Sequence, residues 1–166
     1  MASSFAVKRL QRELIKLQAQ TPPGITLISA NDFSEWHLDI RVLDDTNPLY
    51  TNQTYRLRFT FSATYPIEPP EVVFLTRAPN GADPPVLNDY PVPMHPHVYS
   101  NGIICLDLLD KQAWSPVHNV ESVCISLQSM LTGNRKNERP PNDADFVRSN
   151  MRRPRDISFL FHDEKV

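Results

Sequence analysis

His95-Pro96-His97-Val98-Tyr99-Ser100-Asn101-Gly102-Ile103-Ile104-Cys105-Leu106-Asp107, followed closely by Trp114-Ser115-Pro116, is the stretch on which the reading of this chain turns. It sets one cysteine in a short loop, just past a Gly-containing turn and a pair of histidines. A thiol in that setting can act as a nucleophile and carry an acyl group. From these residues alone a core thiol remains an equal alternative for Cys105, since free cysteine is among the most buried residue types. The second cysteine, Cys124, falls inside an apolar helical pattern next to Val123 and Leu127 and reads as a buried structural thiol.

The 166 residues fit one domain with a real core. A net charge of −2 gives no basic field, so composition does not point to nucleic acid. Sixteen prolines, clustered in loops, argue for a loop-rich α+β domain and against a helical bundle. No apolar run approaches the roughly 20 residues of a membrane span, and Met1-Ala2-Ser3-Ser4 lacks the pattern of a signal peptide. Two cysteines make a disulfide scaffold improbable, so a reducing compartment, cytoplasm and/or nucleus, is expected.

Leu10, Leu14 and Leu17 recur at helical spacing after a Ser3 or Ser4 cap, and Pro22-Pro23-Gly24 stops that helix. Trp36, Leu38, Ile40 and Val42 alternate with polar residues, as do Tyr55, Leu57, Phe59 and Phe61; Val72 to Leu75 is a third short strand. Short connections favour an antiparallel meander. Asn119 can cap a second helix whose buried face is Val120, Val123, Leu127 and Leu131, with Glu121 in its first turn. After Gly133 a polar turn leads to Pro140-Pro141-Asn142-Asp143 and a short helix around Ala144 to Met151.

Working outward, Asn47-Pro48-Leu49-Tyr50, the Tyr55 to Phe61 strand and Tyr65-Pro66-Ile67-Glu68-Pro69-Pro70 precede the opening stretch in order. Together with His95-Pro96, Cys105 and Trp114-Ser115-Pro116, this set closely resembles the ubiquitin-conjugating enzymes, from about Val7 to about Val147. The resemblance implies an α+β, UBC-like fold: N-terminal helix, antiparallel β-meander, active-site loop, central helix and short C-terminal helical segment. The core domain would span residues 5–150. Residues 77–94 hold five prolines where the family connects with only a few residues, and so read as an insertion centred on Asn80 to Tyr90. In the C-terminal segment, 151–166, a basic, proline-broken start points to mobility and Phe159-Leu160-Phe161 to docking on something apolar.

The resemblance implies that Cys105 holds the C-terminus of ubiquitin as a thioester and passes it to protein amines. An ordinary thiol has a pKa near 8.5, so about a tenth is thiolate near neutral pH, and sulfur is nucleophilic enough for that to suffice. No metal or organic cofactor is implied, and ATP is used by the activating enzyme. A zinc site is disfavoured because Cys105 and Cys124 lie far apart instead of in a tight pair. A Cys-His hydrolase lacks any further signature.

His95 and Pro96 match the structural part of the family motif. His97 stands where the family normally has asparagine. Its imidazole is open to three readings: a donor to the oxyanion, a base, or a shaper of the loop. His-Pro-His-Val-Tyr-Ser-Asn-Gly, Arg139-Pro140-Pro141-Asn142-Asp143 and Phe161-His162-Asp163 resemble the W-type members, which modify substrate α-amino groups. Those commonly carry paired tryptophans where this chain has Phe159-Leu160. An α-amine preference is physically reasonable: near neutral pH roughly a fifth of α-amines are deprotonated, against about a thousandth of lysines. Asp107 resembles a family position near the incoming amine, and Asp143 or Asp145 the gate of the acceptor channel. All three read equally as solvated loop acids or helix caps.

Lys8, Arg9 and Arg12 resemble the helix face that docks the activating enzyme, although any amphipathic helix needs a solvated face. With Pro66, Ile67, Trp114, Ser115, Pro116 and Val117 they would form the surface for RING or U-box ligases. The expected partners are ubiquitin, its activating enzyme, such ligases and protein substrates. The competing readings are a non-catalytic ubiquitin- or ligase-binding module, and a conjugating enzyme for lysines or for another ubiquitin-like modifier.

Overall fold

The computed structural model describes residues 4–76, 90–149 and 157. Helix α1 (Ser4–Ala19) buries Ala6, Leu10 and Leu17 on one side. Leu14 is partly buried against the same core, so the apolar stripe read from the sequence is the packed one. The chain then forms β1 (Ile25–Ser29), β2 (Glu35–Ile40), β3 (Tyr55–Thr60) and β4 (Glu71–Phe74). These make one antiparallel sheet in sequential order.

The sequence analysis identified β2, β3 and β4 but not β1. Within Ile25–Ser29 only Ile25 is buried, and a bulge between Leu27 and Ser29 interrupts the pairing with β2. An edge strand of this length carries too little alternation to stand out. Elsewhere the register follows the side-chain alternation. Trp36 faces Phe59, Leu38 faces Leu57, and Ile40 faces Tyr55; Leu57 and Phe59 in turn face Phe74 and Val72. All these side chains join one core. A slip of one residue would turn them to water, which fixes the pairing.

Helix α2 (Val120–Thr132) completes that core with Val120, Val123, Cys124, Leu127 and Leu131, each fully buried. Its start is a capping box: Asn119 accepts from the Ser122 amide, and the Ser122 hydroxyl satisfies the Asn119 amide. Helix α3 (Asp143–Ser149) lies on a smaller cluster of Val73, Tyr99 and Ile103, packed by Phe146, Val147 and Ile157. Of the proline-rich insertion, residues 77–89 lie outside the described residues, as do 150–156 and 158–166 of the C-terminal segment. Where the chain is described again, the Tyr90 amide donates to the Thr76 carbonyl at 3.1 Å, and the Arg56 guanidinium sits over the Tyr90 ring.

Candidate functional site

From Tyr90 to Asn119 the described chain has one 3-10 turn and otherwise no helix or strand, so its shape there depends on individual hydrogen bonds. Ile103 bridges to Val73 at the sheet edge, and Val98 bridges to both His95 and Ile104. Gly102 makes this possible. Its φ is +90°, a β-carbon there would stand 1.9 Å from the Phe74 carbonyl oxygen, and its carbonyl accepts the Phe74 amide at 2.9 Å. Only glycine tolerates both the conformation and the approach.

The bridges deliver Cys105 to the surface half-buried, with its amide donating to the His97 carbonyl at 2.8 Å. Burial, followed by the nearby Asp107 carboxylate, pushes its thiol up to about 11. The resting thiol is therefore not the ordinary one assumed from sequence. Near neutral pH it is then almost wholly protonated. Cys124 is fully buried, and burial holds its thiol protonated even more strongly.

His95 is buried, and desolvation, with a smaller push from His97, pulls its imidazole down to about 4, so it is neutral. Its Nδ1 accepts the His97 amide at 2.9 Å. The His97 side chain is exposed, edge-on to the His95 ring at 5.3 Å between centroids. The loop is thus shaped by the His97 backbone, which leaves its imidazole facing solvent.

The acidic candidates separate. Asp107 is exposed and opens a 3-10 turn (Asp107–Leu109) directly after the cysteine. Asp143, at the start of α3, accepts the Ser100 amide at 2.8 Å. Asp145 is exposed and pairs with Arg148 across one helical turn. Asp143 is therefore joined to the loop that carries Cys105, and Asp145 points into solvent.

Sequence reasoning did not single out Tyr99 as a site residue. Its ring stacks on Phe146 at 3.7 Å, and its hydroxyl lies 3.3 Å from the Asn142 side-chain oxygen. Burial raises its phenol, and the nearby Cys105 and Asp143 push the same way. The hydroxyl is thus tied to the residue just before α3. The signal was present, since a tyrosine inside a polar turn is unusual, but its stacking partner is 47 positions away in the chain.

The docking candidates divide into exposed and inward-committed residues. Ile67 and Val117 are exposed at 70% and 79%, and Pro116, Lys8 and Arg12 are exposed as well. Arg9 is committed inward. Its guanidinium donates to the Pro116 and His118 carbonyls at 2.9 and 2.8 Å and pairs with Glu13. Trp114 and Pro66 are buried, joined by a 2.8 Å bond from the indole N–H to the Pro66 carbonyl. Ser115 is partly buried and accepts the His118 amide through its carbonyl. Arg9, Pro66, Trp114 and Ser115 thus hold the loops that Ile67 and Val117 present.

The family model described as ubiquitin-conjugating enzyme matches residues 9–158. Ubiquitin-conjugating enzyme 15 of Arabidopsis thaliana is 39% identical over 166 residues, covering 99% of this chain and 92% of the relative. Ubiquitin-conjugating enzyme E2 W of Caenorhabditis elegans is 34% identical and covers 99% of each chain. Among solved structures, the ubiquitin-conjugating enzyme E2 UbcA1 from Agrocybe aegerita superposes with a TM-score of 0.79 at 41% identity. That match spans 93% of this chain and 100% of the other.

Proposed function

The chain belongs to the ubiquitin-conjugating enzyme family, and from that premise we propose that Cys105 is its acyl carrier and that substrate α-amino groups are its preferred acceptors. The observation that carries the reading is the placement of Cys105. It stands half-buried at the surface of a loop held by the His97 carbonyl, while Cys124 is sealed in the core.

In the first step the Cys105 sulfur attacks the carbonyl of the ubiquitin thioester on the activating enzyme. The new C–S bond replaces the old one, and the activating enzyme's thiol leaves with the proton. In the second step an amine nitrogen attacks the Cys105 thioester. A C–N bond forms, the C–S bond breaks, and Cys105 recovers its proton as the amine loses one. A thiol of high pKa is a poor leaving group. The environment that slows charging therefore also slows loss of ubiquitin to water, so that transfer waits for a well-placed amine. These steps use no metal or organic cofactor on this chain; ATP is consumed by the activating enzyme.

Two features favour α-amines. His97 replaces the family asparagine, and its exposed imidazole is free to meet a developing oxyanion or an incoming proton. An α-amine needs less help to lose its proton than a lysine. Ubiquitin, the activating enzyme and ligases are the general partners of the family; on this chain the exposed Ile67 and Val117, with Lys8 and Arg12 of α1, are the proposed contacts. A carrier that depends on a free thiol suits the reducing cytoplasm or nucleus.

The test is to charge the protein with ubiquitin, activating enzyme and ATP, then offer either lysine blocked at its α-amine or a lysine-free peptide with a free N-terminus. A thiol-sensitive adduct absent in Cys105→Ala, discharged by the peptide alone, is expected. Discharge by lysine alone overturns the acceptor preference. Absence of any adduct overturns the carrier role and leaves a binding module or another modifier.

A further inference from the structure

The residues around His95-Pro96-His97 are held mainly through their carbonyls. The Tyr50 hydroxyl and the Asn134 side chain both donate to the Met94 carbonyl, at 2.6 and 3.3 Å. Arg139 does something different. Its guanidinium donates to the Val92 carbonyl at 3.0 Å and to the Pro93 carbonyl at 2.5 Å, both before the turn, and to the Val98 carbonyl at 3.2 Å, after it. One rigid, planar fork therefore spans both legs of the turn.

Between those legs lie the contacts that set the cysteine. The His97 amide is held by His95 Nδ1, the His97 carbonyl receives the Cys105 amide, and Val98 bridges to Ile104, the residue before Cys105. If the legs part, the His97 carbonyl and imidazole move relative to the thiol.

We propose that Arg139 is a positioning residue for acyl transfer, clamping the two legs of the His95-Pro96-His97 turn so that His97 keeps a fixed place against Cys105. The proposal rests on the reading of Cys105 as the acyl carrier. Arg139 lies 34 residues beyond Cys105 in a polar run, and touches the site through main-chain atoms alone.

The test uses the full chain with Arg139→Lys and Arg139→Gln. Lysine keeps the charge but cannot reach carbonyls on both legs at once, and it decides the matter if the glutamine variant does not fold. Thermal unfolding is followed first. Then, well below each unfolding midpoint and with no ubiquitin present, iodoacetamide labelling of the Cys105 peptide is followed by mass spectrometry from pH 7 to 11. The titrating groups that face Cys105, Asp107 and Tyr99, are unchanged in both variants. Last, single-turnover discharge of the charged protein is measured against amine concentration.

The expected result is a labelling midpoint below the wild type's, as the loosened loop admits water to the thiol. With it, the maximal discharge rate falls roughly tenfold, while the amine concentration giving half of it stays the same. A role confined to stability would lower the unfolding midpoint and leave both other readouts alone, and that result overturns the proposal. So does a shifted labelling midpoint with unchanged discharge. Failure of the wild type to charge overturns the carrier reading instead, and the labelling profile, which needs no ubiquitin, keeps the two failures apart.

Discussion

The Tyr65 hydroxyl donates a 2.6 Å hydrogen bond to the buried Glu13 carboxylate, 52 residues away in sequence. Glu13 accepts at its other oxygen from the Val120 amide at the start of α2 and pairs with Arg9, which reaches the Pro116 and His118 carbonyls. One carboxylate thus joins α1, α2, the Tyr65 turn and, through Arg9, the Pro116 loop. Burial and the neighbouring Glu13 raise the Tyr65 phenol, so it remains a donor at any ordinary pH.

Replacing Glu13 with alanine strands a hydroxyl and a helix-terminal amide and takes from Arg9 its carboxylate partner. The expected cost is about 3 kcal/mol, measured as a lower midpoint in urea. Arg9→Ala is expected to impair ligase-stimulated discharge by releasing the Pro116 loop. Ile67→Ala is expected to impair it with the unfolding midpoint unchanged. Both are read by single-turnover discharge with and without a RING ligase that is active on the wild type.

Gly102→Ala is expected to cost at least about 2 kcal/mol, because the residue must hold a positive φ and the new methyl meets the Phe74 carbonyl. For a domain of this size that lowers the thermal midpoint by roughly 4–8 °C. Ubiquitin charging should fall as well, since the same turn delivers Cys105.

The two cysteines should behave oppositely. Cys124→Ala leaves a small cavity in the core at a cost of about 1 kcal/mol, with charging retained. Cys105→Ala is expected to leave stability near the wild type's and abolish the adduct. Asp107→Asn should lower the Cys105 pKa by removing a nearby negative charge. Iodoacetamide labelling of Cys105 at pH 8 should then rise roughly two- to three-fold, the charge being exposed and screened.

His95 sets an acid limit. Its folded pKa of about 4 lies below the ordinary 6.5, so under pH 6.5 the unfolded chain binds a proton that the folded one refuses. Stability is then lost as pH falls from about 6.5 to 4, by about 2 kcal/mol from this group. Urea midpoints at pH 7.5, 5.5 and 4.5 should show a shallower decline in His95→Asn than in the wild type.

The long elements were legible because their periodicity is strong: Leu10, Leu14 and Leu17 on α1, the alternation of β2 and β3, and the Asn119 cap with the buried face of α2. Strand β1 was not, because an edge strand with one buried residue leaves almost no pattern. Cys105, His95 and the loops of Ile67 and Val117 were singled out as candidates by the order of short motifs, which survives in the linear chain. Tyr99 and Arg139 were missed because their partners, Phe146 for one and the Val92, Pro93 and Val98 carbonyls for the other, are tens of residues away.

By itself, then, the sequence determined the family pattern, the order of helices and central strands, and which of two cysteines lies in a loop. Local patterns suffice for these, because each is written in the spacing of neighbouring side chains. The tertiary structure alone decided the state of the thiol, the commitment of Arg9 to internal carbonyls, and the joining of Asp143 but not Asp145 to the cysteine loop. Those depend on desolvation and on hydrogen bonds between segments far apart in the chain, which form only when the sheet and helices have brought them together.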